Sequence, residues 1–498
     1  MSAHKRKWTL ALVIGCVGSL AVGVGGCADK DEEPGEIGDA CSPDAAESED
    51  DPGCAEGLVC EPGGEGHVCA GGIEIRGMVI DAIDESPIEG ARVLALDDTG
   101  APLGEVAISD AEGRYVLPVS IPRDADGNPS TTLTLTLSGS AVDYQIYPSG
   151  LQPAFPVSTA DIQDAEDDPD DDSDDHLRFI DNASTTVALL PLDDADKGGF
   201  TISGRVGAAD SDMDGAGTLV VAEGADASYT IADDAGAFTL FNVAEGTVTV
   251  GGYRGGLEIV PETVEVSADV EGVVLELGTD GVSTVSGSVN IVNAPGGSAT
   301  SVVLIPAALF NETFEFGPVP FALRAPEPGV EANVSSSWSI PGVPAGTYKV
   351  IASLENDLLV RDPDASIAGT DILEVTVVAG EDFAIQDSFK VTEALAVVGP
   401  GAEDPETVTG TPTFEFADDS SEDRYEVVVH DALGNEVWRD DQIPGVSGSA
   451  TVTVDYGGPG LTPGMYYRFQ ATSWKDGNPA PTALSRTEDL RGVFVYGE

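Results

Sequence analysis

From Ile73 to the C-terminus, apolar residues recur at every second position in short runs, and glycine, aspartate, asparagine and proline break those runs. Leu133, Leu135 and Leu137 alternate with Thr132, Thr134 and Thr136, so leucine lines one face and threonine the other, the pattern of a half-buried strand. Almost no window repeats apolar residues at spacings of three and four, so helices should be few. The expected fold class is all-β: tandem β-sandwich domains after a small disulfide-rich module. Sixty glycines and thirty-two prolines supply the turns that many short strands need. A chain of 498 residues is too long for one core, and about three to five domains follow from the usual domain size.

Comparing the chain with itself reveals a repeat. Ile75-Arg76-Gly77-Met78-Val79 corresponds to Ile202-Ser203-Gly204-Arg205-Val206 and to Val285-Ser286-Gly287-Ser288-Val289, with starts 127 and 83 residues apart. Each opens a strand. Asp110 to Leu117 then matches Asp233 to Leu240: a turn that Gly113 or Gly236 allows, followed by a strand carrying Tyr115 or Phe238 as an aromatic anchor. The third unit closes with Trp338 to Val350. With Pro87 to Val93, these stretches resemble the carboxypeptidase regulatory-like domain, a transthyretin-like β-sandwich. The resemblance implies a packing module of exported proteins that is not itself catalytic. The third unit departs from the pattern between Phe310 and Pro328.

The last hundred residues have another texture. Pro412 to Phe416, Tyr425 to Val429, a turn at Gly434-Asn435, and Val437-Trp438 read as successive strands. Leu461 to Ala471 resembles strand F of fibronectin type III domains, which implies that Tyr467 is a corner tyrosine bonding back to the chain. Phe416 stands where that family more often has tryptophan.

Upstream of the repeats, Lys5, Arg6 and Lys7 precede an uncharged apolar run from Trp8 to Val24, the layout of a secretory signal. Val24-Gly25-Gly26-Cys27 resembles the lipobox of bacterial lipoproteins, which implies that Cys27 is lipidated and becomes the N-terminus. A transmembrane anchor is one competing reading. Cleavage before Cys16 is another, but it leaves an apolar core of only about eight residues. Ala28 to Ala40 is acidic and has little to bury, as a tether would. Cys41, Cys54, Cys60 and Cys69 then fall within thirty residues, and an even set in an exported segment implies two disulfides. All three pairings remain open at this level. Zinc is the alternative, though the spacings of twelve, five and eight contain no close pair.

The expected organisation is thus a signal peptide (1–27), tether (28–40), Cys-rich module (41–70), a first sandwich (71–197) with an acidic insertion at 161–176, a second (198–280), a third (281–391), and a fibronectin III/Ig-like sandwich (392–498). Lys and Arg number 22 against 88 Asp and Glu, for a net charge of −66. Residues 1–27 hold three basic residues and no acid, so the chain beyond them carries −69. Such a surface repels phosphate backbones and anionic head groups, and excludes nucleic acid as a partner. Solubility in salty surroundings is the plain explanation of the charge, and cation binding the sharper one.

Asp210, Asp212 and Asp214, followed by Gly215, have the alternate carboxylates of a weak calcium loop but lack its closing glutamate; a solvated turn is the competing reading. Asp124-Ala125-Asp126-Gly127-Asn128 is a similar fragment. Beyond this possible calcium no cofactor is expected. None of the four histidines (His4, His67, His176, His430) is placed like a catalytic base, and no nucleophile elbow, zinc helix or Walker loop is present. Trp338, Trp438 and Trp474 are read as core anchors, the alternative being a sugar-stacking platform. The function expected is therefore non-enzymatic: a structural or interaction protein, held to the membrane through its N-terminal lipid and displaying β-sandwiches at the cell envelope. The outer membrane, the cell surface and the periplasmic face all remain open as locations. The alternative is a protein that binds polysaccharide, another extracellular polymer or another surface protein.

Overall fold

The computed structural model describes residues 34, 36–42, 53–55, 58–64, 66–164, 177–207, 215–224, 227–353, 357–419, 421–446 and 450–497. These residues are all-β: helix among them is limited to three single 3-10 turns, Thr159–Asp161, Ala183–Thr185 and Ala307–Leu309. The expected fold class is therefore the observed one.

The three repeated units share one topology. Each opening strand has an antiparallel neighbour on one side and a parallel closing strand on the other. Ile73–Asp81 lies between Arg114–Pro118 and the pair Arg178–Ile180 and Val187–Leu189. Phe200–Val206 lies between Ala237–Val243 and Val270–Leu275. Ser283–Val292 lies between Ser337–Val343 and Phe383–Glu393. A parallel partner cannot be reached through a tight hairpin. The intervening chain instead builds the facing sheet, whose strand order is Ala107–Ile108, Arg92–Leu96, Thr134–Ser140, Val157–Ser158 in the first unit, and equivalent in the next two. The last hundred residues form a fourth sandwich, with Thr413–Ala417 central in one sheet and Arg424–Asp431 and Tyr466–Lys475 paired in the other.

Strand alternation fills each interior. Leu135 and Leu137 are buried and Thr134 is exposed, as the period-two pattern requires. Ile75, Leu117, Val187 and Leu189 are fully buried in the first core, Ile202, Leu240 and Leu275 in the second, Val285, Ile340 and Tyr348 in the third, and Phe414, Phe416, Phe469 and Phe494 in the fourth. Burying each such side chain contributes on the order of 2 kcal/mol, so each interior holds its own sheets together.

Five tight turns use one device, starting at Asp97, Asp110, Asp124, Asp233 and Asp431. In each, the glycine three residues on has a positive φ (86, 75, 78, 73 and 90°) and donates its N–H to the aspartate carbonyl. The aspartate carboxylate accepts the backbone N–H four residues on, at 2.8 to 2.9 Å. The Asp124 to Asn128 fragment, which resembles a calcium loop in sequence, is thus a tight turn whose first carboxylate is committed to backbone amides.

One boundary is refined. Gln163 and Asp164, assigned to the acidic insertion, pair with Phe179 and Arg178 as a short edge of the first sheet. The sandwiches are also in contact with one another. The first meets the second through Asn242, which accepts from the Asp143 N–H (2.6 Å) and donates to Tyr144 O (3.0 Å). The second meets the third through Gly256 N–H to Gly342 O (2.7 Å) and Gly255 N–H to Phe321 O (2.8 Å). The first and fourth, distant in sequence, share a small apolar core with a loop of the third: Leu151, Leu190, Phe314, Ala432 and Val493.

Candidate functional site

A concavity lies where the second and third sandwiches meet. It is an open cleft of about 440 Å³, lined by Glu223, Tyr253, Glu258 and Ile259 of the second and by Ala307, Ala308 and Thr347 of the third. Glu223 ends the strand Leu219–Glu223, directly across from Thr249 on Gly246–Tyr253. Tyr253, at the end of that second strand, donates its hydroxyl to Glu223 Oε1 at 2.5 Å. Burial, reinforced by the Glu223 carboxylate, pushes the Tyr253 phenol well above its ordinary range, so it remains a donor at any physiological pH. Glu258 Oε2 accepts the Ala345 N–H at 2.9 Å, tying the third sandwich to the cleft wall. The Tyr253 ring meets Tyr348 edge-on, centroids 5.7 Å apart. A Cβ on Gly346 would stand 2.8 Å from that ring, so only glycine permits the two walls to approach. The cleft offers carboxylates, hydroxyls and small apolar surfaces, and its tyrosine faces are spent on packing. That arrangement can hold a polar, hydroxyl-rich or cationic ligand.

The second concentration of chemistry is a buried ion network between the third and fourth sandwiches. Glu315 receives Arg486 through two hydrogen bonds (2.9 and 2.6 Å), and Arg361 on its other side. Burial acts to raise the Glu315 carboxyl, but Arg486 and then Arg361 outweigh it and hold the group down at about 2. Arg468, fully buried, donates to Asp489 O at 2.8 Å and lies over the Phe314 ring at 5.2 Å. Glu488 accepts the Leu358 N–H at 3.0 Å; burial and then the charge of Asp357 push its carboxyl up to about 7. Such buried ion pairs specify geometry more than they add stability.

The residues singled out in the sequence fall in different places. Cys27 and the Asp210, Asp212, Asp214 triplet lie outside the described residues, as do His4, His176 and most of the acidic insertion. Cys41 joins Cys60 and Cys54 joins Cys69. Cys60 and Cys69 stand opposite each other in the hairpin Leu58–Gly63/Gly66–Gly71 yet bond elsewhere, so both bridges fasten to one point of the ribbon. The module is docked on the first sandwich at buried Arg123, whose backbone N–H donates to Pro62 O at 2.8 Å and whose guanidinium donates to Gly71 O, at the end of the hairpin, at 2.8 Å.

Trp338 is buried against Phe389. Trp438 packs beside Phe414 and Tyr456. Trp474 donates to Glu426 at 3.0 Å, and Arg424 lies 5.3 Å over its ring. Trp338 belongs to the third sandwich and the other two to the fourth, and each ring has a protein neighbour of its own. His430 is half-buried with Phe314 edge-on to its ring, and burial, then Arg468, lower its pKa. Tyr467 accepts the Thr462 N–H on its hydroxyl at 2.9 Å. The cleft carboxylates carried no sequence signal: among 88 acidic residues, Glu223 and Glu258 are set apart only by the packing of two sandwiches.

No family model matches the chain, and no curated protein matches it in sequence. Solved structures similar to it include the Bacillus anthracis TIE protein, 11% identical over 83% of this chain and 67% of that one, with a TM-score of 0.14. Two B repeat units of the Staphylococcus aureus collagen-binding protein are 10% identical over 85% of this chain and 99% of theirs, with a TM-score of 0.18. The shaft pilin SpaA from Lactobacillus rhamnosus GG is 11% identical over 42% of this chain and 98% of its own, with a TM-score of 0.15. At such scores the fold rests on the sheets described above and not on these likenesses.

Proposed function

We propose that the chain is an exported, non-enzymatic structural or interaction protein, anchored at the cell envelope through lipid on Cys27. On this reading it carries three carboxypeptidase regulatory-like sandwiches and a fibronectin III/Ig-like one. The observation that carries the proposal is the use of aromatic side chains: Trp338, Tyr115, Phe238 and the phenylalanines of the fourth sandwich serve as interior anchors. The Tyr467 to Thr462 bond supports the fibronectin-like assignment. Membrane fractionation of the parent and of Cys27→Ser tests the anchor: the variant should appear uncleaved, or in the soluble fraction. An activity screen of the purified chain tests the rest, and turnover abolished by replacing a defined carboxylate pair would overturn it.

A second reading, binding of a hydroxyl-rich polymer, draws on the cleft of Glu223, Tyr253 and Glu258. Calorimetry with soluble polysaccharides distinguishes the two. Binding lost in Glu223→Gln with Glu258→Gln favours the polymer, and equal binding by parent and variant removes the cleft from consideration.

A further inference from the structure

The opening sheets of the three repeated units correspond residue by residue, because Tyr115, Phe238 and Trp338 each stand opposite the glycine of their unit, Gly77, Gly204 and Gly287. Strand alternation then puts Val116, Thr239 and Ser339 at one equivalent position, directed away from the core, and Arg114, Ala237 and Ser337 at another. On the neighbouring strand the outward positions are Arg76 and Met78, Ser203 and Arg205, and Ser286 and Ser288.

These three faces have different surroundings. In the second unit the face is covered: Thr239 is 8% exposed, and with Ala237 it lies against Arg92, Leu94 and Ser138 on the facing sheet of the first sandwich. In the third unit it is open, and its residues are small and polar, with Ser337 and Ser339 exposed and Ser286 and Ser288 half-buried. In the first unit it is open and apolar. Val116 is 51% and Met78 41% exposed, and Pro118 beside them is exposed too. A sheet face that meets water ordinarily carries polar residues, as the third unit does, and a contiguous apolar strip marks a contact surface. Among the described residues nothing covers this one.

Charge narrows the occupant. Arg76 pairs with Glu74 at 2.9 Å and lies 4.7 Å over the Phe179 ring, and Arg114 pairs with Glu112 at 3.2 Å and Asp110 at 3.4 Å. Two arginines among three carboxylates leave this face close to neutral on a chain of net charge −66. A basic partner would be drawn more strongly to the acidic remainder of the surface. Two copies of the chain, by contrast, repel each other over most of their surfaces and least here. Charges of both signs on one face are also self-complementary under a two-fold axis, which sets the patch against itself.

We propose that the outward face of the strands Ile73–Asp81 and Arg114–Pro118 is a self-association surface, on which a second copy of this chain docks through Met78, Val116 and Pro118, with the Arg76–Glu74 and Arg114–Glu112 pairs at the rim. Salt strengthens the contact, because screening removes the long-range repulsion between two acidic chains and leaves apolar burial intact.

Sedimentation equilibrium of the purified full chain tests this. At about 100 µM chain in about 1 M salt, where charges are screened beyond about 3 Å, the parent should be largely dimeric, and in about 0.01 M salt it should be monomeric. Val116→Ser with Met78→Ser, which gives the face the third unit's residues, should weaken association about tenfold or more and leave the melting temperature unchanged. A parent that stays monomeric at high salt overturns the proposal, and so does association that survives the double substitution. Should that variant also melt lower, cross-linking separates loss of the face from loss of the fold. Val116→Cys, treated with a short bismaleimide at high salt, should give a covalent dimer, and Ser339→Cys, at the equivalent position of the third unit, should not. Equal cross-linking at both positions, or none in Val116→Cys, overturns the proposal.

Discussion

Gly77 stands directly opposite Tyr115 on the neighbouring strand, with the aromatic ring lying where a side chain on residue 77 would be. A Cβ there would meet the Tyr115 hydroxyl at 2.7 Å and Thr185 O at 2.1 Å, and that hydroxyl donates to the same carbonyl at 2.6 Å. The relation recurs in each unit. Gly204 faces Phe238, with Val273 O 2.0 Å from its missing Cβ, and Gly287 faces Trp338, 2.7 Å from the indole. The first two glycines collide with backbone and the third only with a side chain. Gly77→Ala and Gly204→Ala should each cost about 3 kcal/mol, the upper range for overpacking, and Gly287→Ala about 1 kcal/mol as the indole shifts. Urea unfolding of the single variants measures the order, and equal losses at all three would refute this account.

The two disulfides close short loops, with sequence separations of 19 and 15. Each should contribute about 3 kcal/mol to the module's stability by restricting its unfolded state. Reducing both should open the module to protease and leave the sandwiches, whose cores contain no cystine, resistant. Proteolysis followed by mass mapping reads this, and cleavage spreading through residues 73–189 at the same rate would contradict it.

Stability should peak near pH 5. Glu488, raised to about 7 in the folded chain from an ordinary 4.5, faces Asp357, Arg491 and the Leu358 amide. It binds its proton more tightly folded than unfolded, so its contribution is complete below about pH 4.5 and is lost as pH rises to 7, at a cost of up to about 3 kcal/mol. Glu315 has the opposite sign. Held near 2, it stabilises above pH 4.5 and that contribution disappears as pH falls towards 2. Thermal melting from pH 3 to 8 should show both limbs, and Glu488→Gln should flatten only the alkaline one.

Trp474 has its indole N–H on Glu426 and its face under Arg424. Trp474→Phe should therefore cost about 1 to 2 kcal/mol, because it leaves the buried side of the Glu426 carboxylate one donor short. It should not change any affinity for soluble polysaccharide. A binding loss without a stability loss, measured by calorimetry and melting on the same variant, would return this tryptophan to a recognition role.

Alternation of apolar and polar residues was enough to determine the all-β class, the opening strands at Ile75, Ile202 and Val285, and the aromatic anchors that follow the glycine turns. Those features are local: strand period, turn chemistry and a glycine facing a ring lie within short stretches of chain. The signal reading of Cys27 and the acidic triplet at Asp210 are likewise sequence properties, and they stay there because they lie outside the described residues. Tertiary structure alone decided which cysteines pair, since the cysteines opposite each other in the hairpin are not bonded to each other. It also decided that the Asp124 fragment is a turn whose carboxylate binds backbone amides. The joining of the first sandwich to the fourth around Phe314, and the placing of Glu223 and Glu258 in one cleft, were illegible for the same reason. Each depends on surfaces brought together over more than thirty residues of chain by packing, and in so acidic a sequence no single glutamate or phenylalanine announces such a partner.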